Sequence, residues 1–147
     1  LAGDREGGIR DLSALARETS TGYAALARLQ LAALLANQGD LPGALKAYDE
    51  LALDRAMPQP LRDLALALGA LNAAASEDAA SLERRVATIN TATSPWRHAA
   101  REAIALAALR TGERDKARGL LRGLSDDFAA PSGVRARAAE LLAALDA

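Results

Sequence analysis

The chain has no cysteine, so a disulfide framework, a thiolate nucleophile and a thiol-ligated zinc site are all excluded. A cysteine-free chain suits cytoplasm and periplasm alike, and the redox compartment stays open. Aromatic residues are only 3% of the composition, and β-branched residues are scarce, with three isoleucines, two valines and six threonines. Long apolar runs are missing as well. "LQLAALLA" and "LALALGALNAAA" fall well short of the ~20 residues that span a bilayer. Neither sign of charge dominates: 18 Lys plus Arg face 19 Asp plus Glu, a net charge of −1. That balance gives no basic field for nucleic acid and no polybasic run for a membrane surface. There is no signal peptide, and the opening "LAGDREGG" has no initiator methionine. We expect the chain to be a piece of something longer, with any anchor outside it.

Alanine and leucine fill the 50% hydrophobic fraction instead. With Arg and Glu they lose little rotamer freedom in a helix, so the 147 residues predict one all-α domain. Punctuation cuts it into about eight helices. "REGGIRDLSALARE" presents Ile9, Leu12, Leu15 and Ala16 on one face. "STGYAALARLQLAALLANQGD" follows; Ser20 or Thr21 can cap its start, and Gly39 suits the left-handed residue after its end. Asp40 caps "LPGALKAYDELAL", whose apolar residues recur at helical spacing. Pro58 and Pro60 open "LRDLALALGALNAAA". "EDAASLERRVATIN" follows, with Leu82, Val86 and Ile89 as its stripe. Then come "SPWRHAAREAIALAALRTGE", "RDKARGLLRGLSDDF" and, opened by Pro131, "SGVRARAAELLAALDA".

A shift of 73 residues superposes the chain on itself. Tyr23 falls on Trp96, Arg28 on Arg101, Gly39 on Gly112, Ala44 on Ala117 and Leu51 on Leu124. Pro58 falls on Pro131 and Arg62 on Arg135. The shift equals about two helix–turn–helix repeats, the signature of internal duplication. The first helix of each hairpin is apolar almost all round, as in "YAALARLQLAALLA", and is expected to be buried on every side. The second carries one apolar stripe and a charged back, as the outer helix of a stack would.

Catalytic signatures are sparse. "SPWRH" holds the only tryptophan and the only histidine. Trp96 takes the repeat position of Tyr23, so it reads as an apolar plug at a helix start where Ser94 can cap and Pro95 fits the first turn. Arg97 and His98 then read as ordinary first-turn residues. The sharper alternative puts Trp96 and His98 in a peptide-binding pocket. One histidine without a second ligand makes a poor zinc site, and HExxH is absent. "GDREGG" has no preceding strand and no GK[ST], which argues against a phosphate loop. Asp126 and Asp127 are adjacent and so diverge, whereas an acid–base pair must converge. "ERR" and "ERDKAR" mix signs and read as solvated faces. The expectation is no enzyme, no metal and no cofactor.

"LQLAALLANQGDLPGALKAY" and "IALAALRTGERDKARGLL" resemble tetratricopeptide repeats. Ala32 and Ala105 take the place of that family's glycine, Ala44 and Ala117 its alanine, and Tyr48 and Leu121 the bulky position after it. The resemblance implies a short right-handed solenoid of antiparallel helices in degenerate hairpins at about 20–56, 58–92 and 94–128. An N-terminal helix at 5–18 and a C-terminal capping helix at 131–146 complete the domain. "GYAALARLQLAALLA", "GDLPGALKAYDELA" and "SPWRHAAREAIALAALRTGE", in that order, are similar to the repeat domain of the ancillary, YfgM-like subunits of the SecYEG translocon. That bacterial inner-membrane family implies one transmembrane anchor, absent from this chain, and a periplasmic adaptor. Its implied partners are the translocon, envelope chaperones and unfolded polypeptide segments.

In repeats of this kind the first helices line a groove, which makes Arg28, Gln30, Asn37, Arg101, Glu102 and Arg110 candidate partner-binding residues. Arg28 and Arg101 match across the duplication, so structural ion pairs within each repeat are the plainer reading. The alternative function is a self-associating scaffold, a homodimer formed through an apolar end left open at "ELLAALDA". Close helix approach over alanine yields the first prediction. Ala32→Leu or Ala105→Leu should overpack the core at a cost of about 1–3 kcal/mol. An unchanged melting temperature in either variant would contradict the assigned register.

Overall fold

A computed structural model describes residues 5–18 and 22–146, so the expected caps Ser20 and Thr21 lie outside the described residues. Among these there are eight helices and no strand, which makes the protein all-α. The helices are α1 (Arg5–Glu18), α2 (Gly22–Asn37), α3 (Leu41–Leu53), α4 (Gln59–Ala73), α5 (Ala79–Arg85), α6 (Arg97–Arg110), α7 (Arg114–Asp126) and α8 (Ser132–Asp146).

The helix contacts divide the chain into two compact units, Leu1–Gly69 and Ala70–Ala147, with the boundary inside α4. That boundary runs through the segment 58–92 expected to pair as one hairpin. In the first unit α2 packs on α1 and α3. Its core gathers Ala25, Leu29, Ala32, Ala44, Tyr48, Leu51, Met57 and Ala65, with Leu61, Leu64 and Leu68 against them. Gly69 permits a close approach there, because a Cβ on it would stand 3.1 Å from that of Tyr48. In the second unit α6 packs on α5, α7 and α8, and α7 packs on α8.

The duplication is visible bond by bond. After α2, Gly39 (φ 86°) donates to Ala36 O and Asp40 N–H donates to Leu35 O. After α6, Gly112 (φ 82°) donates to Leu109 O and Glu113 N–H donates to Ala108 O. Both are Schellman closures, in which the left-handed residue is almost free of strain only as glycine. Asp40 then caps α3, its Oδ1 accepting from Gly43 N–H at 3.0 Å, while the longer Glu113 makes no side-chain cap. At the far ends of α3 and α7 the chain turns on Asp54 and Asp127. Their carboxylates accept from Ala56 N–H at 3.0 Å and Ala129 N–H at 2.9 Å.

Three expectations are corrected. First, α5 ends at Arg85, although the stripe residues Val86 and Ile89 are buried as expected. Val86, Thr88, Ile89, Thr91 and Thr93 crowd this stretch with β-branched side chains, which favour helix least among apolar residues. The chain therefore leaves the helix in tight turns. Second, α6 starts at Arg97, with Trp96 before it, rather than at Pro95 behind a Ser94 cap. Ser94, Pro95, Trp96 and Arg97 form a turn before it: Ser94 Oγ accepts from Trp96 N–H, and Ser94 O accepts from Arg97 N–H. Third, α2 is not buried on every side, since Tyr23 is 75% exposed and Leu26 52%. Helix α6 comes nearer the expectation, with His98, Ala100, Ala107, Ala108 and all of Glu102–Ala105 buried.

Glu102 is the one acid buried among the described residues. Arg137 of α8 reaches it with two bonds, Nε to Oε1 at 2.6 Å and Nη2 to Oε2 at 3.0 Å. The duplicated positions in the first unit are Leu29 and Leu64, which share the apolar core. The same two positions thus hold an ion pair in one unit and core leucines in the other. A half-buried pair of this kind holds by mutual compensation, so losing one partner costs more than losing both. Arg137→Leu should destabilise by about 1–3 kcal/mol, discounted from a fully buried pair because Arg137 is more than half exposed. Glu102→Leu with Arg137→Leu should return to within about 1 kcal/mol of the parent in urea denaturation. Additive losses in that cycle would refute the compensation.

Candidate partner-binding cleft

The first unit carries an open cleft of about 500 Å³ between α1, α2 and α3. Its floor is small and apolar: Ala16 of α1, Leu31 of α2 and Ala47 of α3, with Ser13 beside them. Its rim is charged with both signs, Arg17 and Arg28 facing Glu50 and Asp54. Helical spacing accounts for the set, since Ser13, Ala16 and Arg17 share one face of α1, as Ala47 and Glu50 do on α3.

Arg28 and Asp54 organise the rim. Arg28 Nη1 donates to Asp54 Oδ2 at 2.8 Å, and Nη2 reaches the carbonyl of Ala16 at 3.5 Å. The Arg28 bond, then that from Ala56 N–H, holds the Asp54 carboxyl below its ordinary range. In the second unit Asp127 stands at the duplicated position, but its partner has moved one helical turn. His98 Nε2 lies 2.8 Å from Asp127 Oδ2. That bond, then the one from Ala129 N–H, lowers the Asp127 carboxyl in the same way. His98 is therefore no ordinary first-turn residue: it is buried and paired. Trp96 is half-buried beside it in sequence, outside both clefts described here.

The six candidate residues fall into different situations. Arg28 lines the cleft, while Gln30 and Asn37, also on α2, are exposed. Arg101 donates from Nε to Asn90 Oδ1 at 3.2 Å. Glu102 is held by Arg137. Arg110 donates to the carbonyls of Ala74 (3.0 Å) and Glu77 (2.6 Å), closing the segment after α4. Sequence reasoning missed Asp54, Arg17, Ser13 and Ala16. The match of Asp54 to Asp127 at the 73-residue shift was the available signal. A second cleft of about 500 Å³, apolar in lining, lies against Gly22, Tyr23, Leu26 and Leu61.

Chemically, the main cleft offers short apolar contacts and paired charges. No three His, Asp or Glu side chains converge among the described residues as a metal would require. No helix among them is long and apolar enough to cross a membrane. No protein-family model matches the chain, and no curated protein or solved structure is significantly similar to it.

The depressed carboxyls set a pH dependence. Asp78, held by the Ser81 backbone N–H and then its hydroxyl, joins Asp54 and Asp127. Each binds a proton more readily unfolded than folded, so each stabilises the fold fully above the ordinary carboxylate value of about 3.9. That contribution is lost as pH falls through the lower folded values. Stability measured by urea denaturation should therefore decline below about pH 5. Asp54→Asn should shallow that acid slope, and an unchanged slope would show that the Arg28 tie contributes nothing.

Proposed function

We propose that this chain is a non-catalytic protein-interaction module, its helices arranged as a short right-handed solenoid of antiparallel, tetratricopeptide-like pairs. The observation that carries the reading is the cleft between α1, α2 and α3, where a small apolar floor sits inside a rim of both charges. A polypeptide segment offers what such a rim can pair, namely side chains for the floor and backbone or charged groups for Arg17 and Glu50. The sequence resemblance to the translocon-associated family supports the setting. The module would work at the periplasmic face of the inner membrane, held by an anchor outside this chain, on behalf of the translocon and envelope chaperones.

The self-associating scaffold is the competing reading, favoured by the apolar cleft that exposed Tyr23 and Leu26 line in the first unit; Leu53 and Phe128 are exposed as well. Beyond Ser132 and Gly133 at its start, the exposed residues of α8 are instead alanines and charged residues. Affinity capture from solubilised membranes, read by mass spectrometry, separates the two. The adaptor reading expects translocon components or periplasmic chaperones with the parent protein and their loss in a folded Arg17→Glu variant. Recovery of the protein's own copies alone, with a sedimentation coefficient that rises with concentration, would replace it with the scaffold.

A further inference from the structure

The duplication supplies a second version of the cleft in which the same positions are filled. At the 73-residue shift, Ser13 corresponds to Val86, Ala16 to Ile89 and Ala47 to Leu120. Arg28 corresponds to Arg101, Leu31 to Ile104 and Asp54 to Asp127. The structure supports this register. Arg28 bonds the carbonyl of Ala16, and Arg101 bonds Asn90, the residue after Ile89. Asp54 and Asp127 each follow the second helix of a pair, α3 and α7, and tie back to the helix before it, α2 and α6.

In the second unit Val86, Ile89 and Ile104 are at most 1% exposed. Short branched side chains therefore complete that packing from within the chain. In the first unit two of the three are cut back to Ser13 and Ala16, and Leu120 is cut back to Ala47. Space opens where aliphatic carbon stands in the copy, while the turning aspartate, tied to Arg28 here and to His98 there, is kept. A floor of aliphatic carbon whose copy is completed by valine and isoleucine favours an occupant with short branched carbon.

We propose that the cleft of the first unit takes the valine or isoleucine side chains of a partner polypeptide, which stand where Val86 and Ile89 stand in the second. This deepens the interaction-module reading and rests on it. The rim adds polarity to the choice: Arg17 replaces Asn90 and Glu50 replaces Gly123, so the segment is held by charged groups that the filled copy lacks. The chain's own "SLERRVATINT", residues 81–91, is the natural probe.

A fluorescent peptide of that sequence would be titrated into the protein by anisotropy, with methyl NMR of Leu31 and Ala47 to locate it. The expected result is saturable binding that shifts those methyls. The peptide carrying Val86→Ser and Ile89→Ala should bind at least about tenfold more weakly, given the buried carbon removed. In the protein, Ser13→Val with Ala16→Ile should abolish the shifts and raise the melting temperature, since the variant fills its own cleft. Ala47→Leu, on a different helix, repeats the test should that pair fail to fold. Equal affinity of the two peptides, or full binding by a filled variant, would overturn the proposal. So would the absence of any binding. If peptide or captured clients bind with shifts elsewhere, the cleft proposal fails while the interaction module stands.

Discussion

Alanine is the constraint from which the rest of this structure follows. It supplies most of the buried apolar residues, so each contact removes little area from water and the helices must lie close. Close backbones leave no room for adjustment by large rings or long flexible chains. Order along the helices must then come from elsewhere. It comes from the Schellman glycines, from the aspartates after α3 and α7, and from a few charged ties: Arg28 to Asp54, His98 to Asp127 and Arg137 to Glu102. None of these is an exposed ornament. Each joins residues 26 or more positions apart, and each sits where two helices would otherwise slide on smooth alanine.

The duplicated framework shows which of these devices the fold tolerates changing. The glycine turns and the turning aspartates are the same in both units. Their partners are not: an arginine in one unit becomes a histidine one turn earlier in the other, and a leucine pair becomes an ion pair. The backbone requirement is therefore strict, since only glycine adopts φ near +85° without strain, whereas a side-chain tie needs only charge and reach. The cleft is the largest departure of all. It arises from lost volume at three positions rather than from any added group.

How much of this could be read beforehand divides along the same line. Helix periodicity and caps are local, so α1 and α3 run between the residues expected, and Gly39 and Asp40 act as expected. The end of α5 was hidden because its apolar stripe continues at helical spacing through turns that bury Val86 and Ile89 all the same. The exposure of Tyr23 was hidden because an all-apolar helix says what it can bury, not what its neighbours cover. Arg101, Glu102 and Arg110 looked like groove residues because polar groups on apolar helices need partners. Their partners, Asn90, Arg137 and the carbonyls after α4, lie in other elements, which spacing along one helix does not show. The cleft itself was legible only by comparing Ser13 and Ala16 with Val86 and Ile89.

A chain that contains two copies of one plan faces a hazard during folding, because helices of one copy present nearly the right shape to the other. The leucine pair and the ion pair at duplicated positions bear on that hazard. Docking α8 in the place of α4 would bring Arg137 into a unit that has Leu29 at the position of Glu102 and so no carboxylate there to meet it. Docking α4 in the place of α8 would leave Glu102 buried beneath Leu64. Both errors part a charge from its partner, and the second leaves it buried, which makes the wrong docking costly without strengthening the right one. Divergence between the copies thus guards the fidelity of assembly, and the two halves have become different enough not to be mistaken for each other.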